Sequence, residues 1–207
     1  WSFDVGSGEA ERAPLIEILR EFAQPAGRLI DTSPMYGNAE RVIGELSAEL
    51  GLGGRMFLAT KVWTQGREAG IVQMQDSLRL LRTASIDLMQ IHNLVDWKTH
   101  IKTLRDWRQR GTIRYLGITH YDESAHDDVV RVMQQTPLDF LQINYSLAEP
   151  EAADRVLPLG LCGELMITRR VTMLPKLYCR FMSSQIELTI TKFYRPRLSK
   201  RDPNFRQ

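Results

Sequence analysis

The sequence predicts an α/β protein of the (β/α)8, TIM-barrel type, incomplete in that the first strand and the last two β/α units are not recognisable. Three observations predict it. Five short apolar segments recur along the first three quarters of the chain, with a repeat of about 28 residues. A segment of helical periodicity separates each from the next. The apolar segments are near-continuous rather than alternating, which is the pattern of parallel strands covered by helices.

The first helix is expected over 9–23, EAERAPLIEILREFA, where Leu15, Ile18, Leu19 and Phe22 share one face. A short strand, RLID, follows at 28–31, then a helix at about 38–50 that Asn38 can N-cap and Gly51 can end. MFLATK at 56–61 reads as a strand and 67–83 as a helix; IDLMQIH at 86–92 is the next strand, and the helix 97–110 closes at Gly111. IRYLGIT at 113–119, a helix at 123–135, DFLQINY at 139–145 and a helix at about 150–158 complete the pattern. A doubly wound open sheet is the competing architecture, marked by a glycine fingerprint between strand and helix. Here GLGGR at 51–55 follows a helix, and GSGEAE at 6–11 lacks the third glycine, so they read as a helix stop and a helix start.

Composition divides the chain near Gly160. Residues 160–207 carry 10 Lys/Arg against 3 Asp/Glu, while residues 1–159 carry 17 against 22. The expected organisation is therefore a barrel portion, 1–159, and a divergent basic tail, 160–207. QIELTITKFY at 185–194 alternates as a strand does, but nothing after Gly160 reads as two further β/α units. The tail reads either as an altered reading frame or as a genuine divergent domain. The two cysteines, Cys162 and Cys179, lack metal-site spacing and are too few for a disulfide framework. The four histidines show no zinc-ligand spacing, so no metal is expected. A basic terminus of this size is better read as solvated than as a nucleic-acid site. No apolar run is long enough to span a membrane. The chain begins at Trp1 rather than Met, so a removed targeting segment, and a periplasmic setting with it, stays open; the expectation is cytoplasmic.

The chemistry lies at three successive strand ends. Asp31 and Tyr36 follow the first strand, Lys61 closes the second, and His92 closes the third. Barrel active sites are built at the C-terminal ends of strands. Carbonyl reduction needs a hydride donor, which no side chain supplies, a proton donor and a group to hold the oxygen. Tyr36 can give the proton. A free tyrosine holds its proton to about pH 10, and a neighbouring cation stabilises the phenolate. Lys61 suits that role, Asp31 can keep it charged, and His92 can orient the carbonyl oxygen. Taken singly, each residue has an ordinary structural reading: a turn aspartate, a packed tyrosine, a snorkelling lysine, a core histidine. Four of them in order at matching junctions do not.

DTSPMYGNAE, the lysine closing ATK, the histidine closing MQIH, and the later GITHY and LQINYS resemble the aldo-keto reductases in register over residues 1–159. The resemblance implies a catalytic tetrad of Asp31, Tyr36, Lys61 and His92. It also implies NADP(H) bound extended at the barrel mouth, and a small-molecule carbonyl substrate. Cofactor contacts carry over to Thr119 and His120, where many relatives have Ser-Asn, and to Gln142, all toward the nicotinamide carboxamide. The loops that hold the cofactor phosphates in the family fall in the region replaced by the basic tail. A non-catalytic relative acting as a binding module is the alternative. An unclosed parallel sheet would expose two edges, so self-association is expected unless a partner covers them.

Overall fold

The computed structural model describes residues 3–23, 29–145, 150–161 and 166–170. The strand reading of 185–194 lies outside the described residues. In chain order the elements are α1 (Glu9–Phe22), β1 (Leu29–Asp31), α2 (Ala39–Glu49), β2 (Phe57–Val62), α3 (Arg67–Leu80), β3 (Ile86–His92) and α4 (Trp97–Gln109). They continue with β4 (Ile113–His120), a 3-10 turn at Glu123–Ala125, α5 (His126–Gln135), β5 (Phe140–Asn144), α6 (Ala152–Arg155), α7 (Leu157–Leu161) and β6 (Met166–Arg170).

The strands form one parallel sheet in the order β1-β2-β3-β4-β5-β6. Neighbours in sequence are neighbours in space throughout. A doubly wound sheet must reverse its order at a switch point, and here the winding never reverses. This is barrel-type progression, with β1 and β6 as edges among the described residues.

Each strand places alternate residues on opposite faces, and the two faces form separate cores. Ile30, Val62, Met89, Ile91, Leu116, Ile118, Leu141 and Ile143 belong to the large cluster that also takes in Leu15 and Leu19 of α1, Val42, Ile43 and Leu46 of α2, and Leu104 of α4. On the other, inner face, Ala59, Leu88 and Phe140 cluster with Phe57 and Tyr115. The rings of Phe57, Tyr115 and Phe140 lie 5.4–6.1 Å apart and fill the N-terminal end of the interior. Gly117 makes this possible. A Cβ there would stand 2.7 Å from the Phe140 carbonyl oxygen and 3.0 Å from its Cβ.

Local signals explain most element ends. Gly51 and Gly111, at φ +64° and +76°, stop α2 and α4 as left-handed residues. Beyond Gly111, Thr112 N–H returns to the Trp107 carbonyl at 2.9 Å. Three expectations differ. Asn38 occupies the N-cap of α2 but its side chain makes no capping bond; instead its N–H is taken by Asp4 Oδ1 at 2.8 Å. The helix expected at 150–158 is two short helices, α6 and α7. Pro158 has no N–H to give the Asp154 carbonyl and its ring crowds that oxygen, so α6 does not run through and a new helix starts around the proline. Finally, β6 was not expected: it pairs with β5 over five residues from Phe140↔Met166 to Asn144↔Arg170. Its sequence, MITRR, is short and ends in two arginines, so it shows no apolar run.

Candidate functional site

The C-terminal half of the inner face is polar. β1 brings Asp31, β2 Lys61, β3 Gln90 and His92, β4 Thr119, and β5 Gln142. The period of two that puts Leu88 among the aromatic rings puts Gln90 and His92 above it.

Lys61 is 1% exposed, and its ammonium is fully used. Nζ donates to both Asp31 oxygens, at 3.0 and 2.9 Å, and to the Thr32 carbonyl at 2.8 Å. Three donors meet three acceptors, the condition for keeping a charge in a buried position. Asp31 accepts two more bonds, from Gln90 Nε2 at 3.3 Å and from Gln142 Nε2 at 3.1 Å. The Lys61 Nζ also lies 5.2 Å from the centroid of the Tyr36 ring. Tyr36 reaches this place from a tight loop. Its N–H donates to the Ser33 carbonyl at 3.0 Å, and Gly37 turns at φ +54°. A Cβ on Gly37 would meet the Asp4 carboxylate at 2.2 Å, so the loop is held against the N-terminal segment.

His92 stands one strand further on. Its Nδ1 is 2.7 Å from Thr119 Oγ1, and the two residues are register partners in the β3–β4 ladder. Trp63, half exposed, presents itself to the His92 ring at 6.4 Å, nearly perpendicular. After His92 the backbone takes left-handed geometry at Asn93 and Leu94, φ +50° and +56°. That geometry is costly for a leucine. The segment is tied down by Asn93 N–H to the Thr119 carbonyl at 2.8 Å and Val95 N–H to the His92 carbonyl at 3.1 Å.

The structure thus brings Asp31, Tyr36 and Lys61 into one cluster and links Gln142 to it. It pairs His92 with Thr119. His120, one residue on, falls on the opposite side of the strand by alternation. Its Nδ1 accepts from the Asp122 N–H at 3.1 Å, and its ring stacks on Tyr121 at 5.8 Å. Burial lowers the His120 pKa, and the Asp122 charge acts the other way.

Sequence reasoning missed three residues here. Glu40 is 2% exposed and accepts from Thr60 Oγ1 at 2.6 Å and Ser77 Oγ at 3.1 Å. Burial pushes its carboxyl above the ordinary range, while those two hydrogen bonds and the Lys61 charge pull it back. A signal existed: Glu40 precedes Ile43 and Gly44 by three and four residues, on the stripe of α2 that is buried. Gln90 gave none, because one glutamine inside IDLMQIH shows nothing of its partner. Asn144, at the end of β5, donates from Nδ2 to the Tyr121 carbonyl at 2.8 Å, and its Oδ1 is buried with no hydrogen-bond partner among the described residues. Among those residues, too, no cluster of three or more His, Cys, Asp or Glu side chains could hold a metal, and no helix is long and apolar enough to cross a membrane.

A sequentially wound parallel sheet with helices outside and a polar, lysine-centred cluster at its C-terminal end defines a barrel-type α/β protein, with that cluster at the end where barrel active sites are built. The model of the Aldo/keto reductase family matches residues 1–162. The chain belongs to that family. It is 30% identical over 166 residues to the aldo-keto reductase YhdN of Bacillus subtilis, covering 73% of this chain and 49% of that protein. It is 32% identical over 124 residues to the methylglyoxal reductase YeaE of Escherichia coli, covering 57% and 43%. Among solved structures, an aldo-keto reductase of Klebsiella pneumoniae in complex with NADPH superposes with a TM-score of 0.68 at 24% identity, over 80% of this chain and 60% of that one. At that identity the likeness speaks for the fold. The chain spans about half the length of the curated relatives it matches.

Proposed function

We propose that this chain carries the catalytic half of an oxidoreductase that reduces aldehydes or ketones to alcohols with NADP(H). One observation carries the reading: a buried lysine, held by Asp31, faces the Tyr36 ring at the C-terminal end of a parallel sheet. In this reading Tyr36 delivers the proton to the carbonyl oxygen. Lys61 supports it electrostatically as negative charge develops on the phenol oxygen. Asp31, with Gln90 and Gln142 on its oxygens, holds Lys61 in place. His92 donates a hydrogen bond that orients the substrate oxygen toward Tyr36.

The residues at the ends of β4 and β5 fit a nicotinamide carboxamide. Asn144 Oδ1 is a buried acceptor without a partner among the described residues, and Thr119 keeps acceptor lone pairs beyond its contact with His92. Gln142 would reach the amide only by loosening its bond to Asp31, and His120 would have to turn from Asp122. When bound, the cofactor supplies hydride to the carbonyl carbon. The relative named for methylglyoxal reduction makes small oxoaldehydes the first compounds to try, alongside aromatic and aliphatic aldehydes.

The test is NADPH-dependent reduction across that panel by the wild type and by Tyr36→Phe. Loss of kcat by about 10²–10⁴ with unchanged fold is expected for removal of a general acid; equal turnover in the variant would remove Tyr36 from the role. A second reading is favoured by the two edge strands, β1 and β6, each of which has a neighbour on one side only among the described residues. In it the chain is a non-catalytic module that pairs with another protein or with itself. Fluorescence titration with NADPH separates the readings, since this one expects no cofactor binding.

A further inference from the structure

We propose that Thr119 is a positioning residue that sets the tautomer of His92: its hydroxyl donates to Nδ1, so the ring proton resides on Nε2. Thr119 and His92 are tied twice. They face each other in the ladder, with Asn93 N–H bound to the Thr119 carbonyl at 2.8 Å, and their side chains meet at 2.7 Å. A hydroxyl has one proton and two acceptor sites, and a neutral imidazole has one donor and one acceptor nitrogen. The bond can therefore run either way. If Nδ1–H donated, the Thr119 proton would need a second acceptor. Among the described residues the Thr119 hydroxyl has no hydrogen-bond partner besides His92, and the residue is 3% exposed. A buried donor without an acceptor is the costlier defect, whereas spare oxygen lone pairs are tolerated. The hydroxyl proton therefore belongs on Nδ1.

The consequence reaches the proposed chemistry and rests on that reading. His92 can donate to a carbonyl oxygen only from the nitrogen that bears the proton, and Thr119 leaves that nitrogen as Nε2. The spare lone pairs of Thr119 stay open for an amide N–H, so one side chain can serve His92 and the cofactor at once. The family-implied role of residue 119 concerns the carboxamide alone; the geometry adds the histidine.

The test reads the tautomer directly. Long-range ¹H–¹⁵N correlation of histidine-labelled whole chain, at about pH 8 where a free imidazole is neutral, distinguishes Nε2–H from Nδ1–H, with His92 assigned by the signal lost in His92→Gln. Nε2–H is expected in the wild type and in Thr119→Ser, and a mixture of tautomers in Thr119→Val. Nδ1–H in the wild type, or an unchanged pure Nε2–H in Thr119→Val, overturns the proposal. If the wild type reduces carbonyls, Thr119→Val should lower kcat by about 10–100-fold, less than the 10²–10³ of losing a donor outright. Thr119→Ser should stay within about threefold of wild type in kcat and keep the NADPH Kd, whereas Thr119→Val, which also loses the lone pairs offered to the amide, should lower kcat and raise the Kd together. A raised Kd at unchanged kcat in Thr119→Val would make residue 119 a cofactor contact only, against the proposal. A wild type inactive on every carbonyl would sink the functional reading instead, and the tautomer spectrum would still decide this one.

Discussion

The two ends of the sheet's inner face follow one rule of alternation and hold opposite contents. At the N-terminal end, Phe57, Tyr115 and Phe140 close on one another with Ala59 and Leu88. Two residues further along the same strands stand Lys61, Gln90 and Gln142, with Asp31 as their common acceptor. The backbone is identical in kind, so the difference lies in the side chains alone. Apolar rings need only shape, and the lower end can be satisfied by packing. A buried ammonium needs three acceptors in fixed places, and the upper end is satisfied by strand register. The lower layer gives the upper one a floor: Leu88 and Phe140 sit directly beneath Gln90 and Gln142.

The largest effect expected from breaking this contrast is at Lys61. Lys61→Met keeps length and removes charge, leaving Asp31 with two neutral donors. Stability should fall by about 3 kcal/mol, the low end for breaking a buried pair, measured as the urea midpoint. Where the wild type is active, kcat should fall by a further factor of about 10³ per folded molecule. A variant as stable as wild type would show that the pair is not what organises the upper end. Phe140→Ala probes the other end. The loss of a buried ring beside Gly117 should cost about 3 kcal/mol or more, again by urea, while kcat per folded molecule stays within about threefold. A large kcat loss in Phe140→Ala would mean that the floor and the site above it are not separable.

What was legible in the sequence follows the same division. The alternation of strands and helices showed itself because each strand is covered on both faces and so reads as an apolar run. Asp31, Tyr36, Lys61 and His92 were legible because polar residues at successive strand ends are unusual in such runs. Register was not legible. Nothing in IDLMQIH or IRYLGITH shows that His92 lies opposite Thr119, or that Gln142 meets Asp31 111 residues away. The same holds for Asn38, whose N–H is satisfied by Asp4, 34 residues before it. Strand β6 escaped because its pairing to β5, not its own pattern, makes it a strand. The compositional boundary at residues 159 and 160 remains our proposal for where the barrel portion ends, with β6 beyond it.

The smallest effect concerns the residue that links the site to its helical coat. Glu40 lies on the outer side of β2, bound to Thr60, the residue before Lys61. Its folded-state pKa is raised above the ordinary 4.5, chiefly by burial. Below that ordinary value the folded and unfolded chains both keep the proton, and Glu40 carries no penalty. As pH rises from there the unfolded chain releases the proton first, so Glu40 costs stability progressively until the folded carboxyl also ionises, after which the cost is constant. Glu40→Gln removes the titration and keeps an acceptor for Thr60. The urea-midpoint difference between Glu40→Gln and wild type should therefore shift in favour of the variant as pH climbs from about 4, then level off. A difference that shifts toward the wild type over that range would mean that the Lys61 charge outweighs burial, and that the lysine is shared between Asp31 inside the barrel and Glu40 outside it.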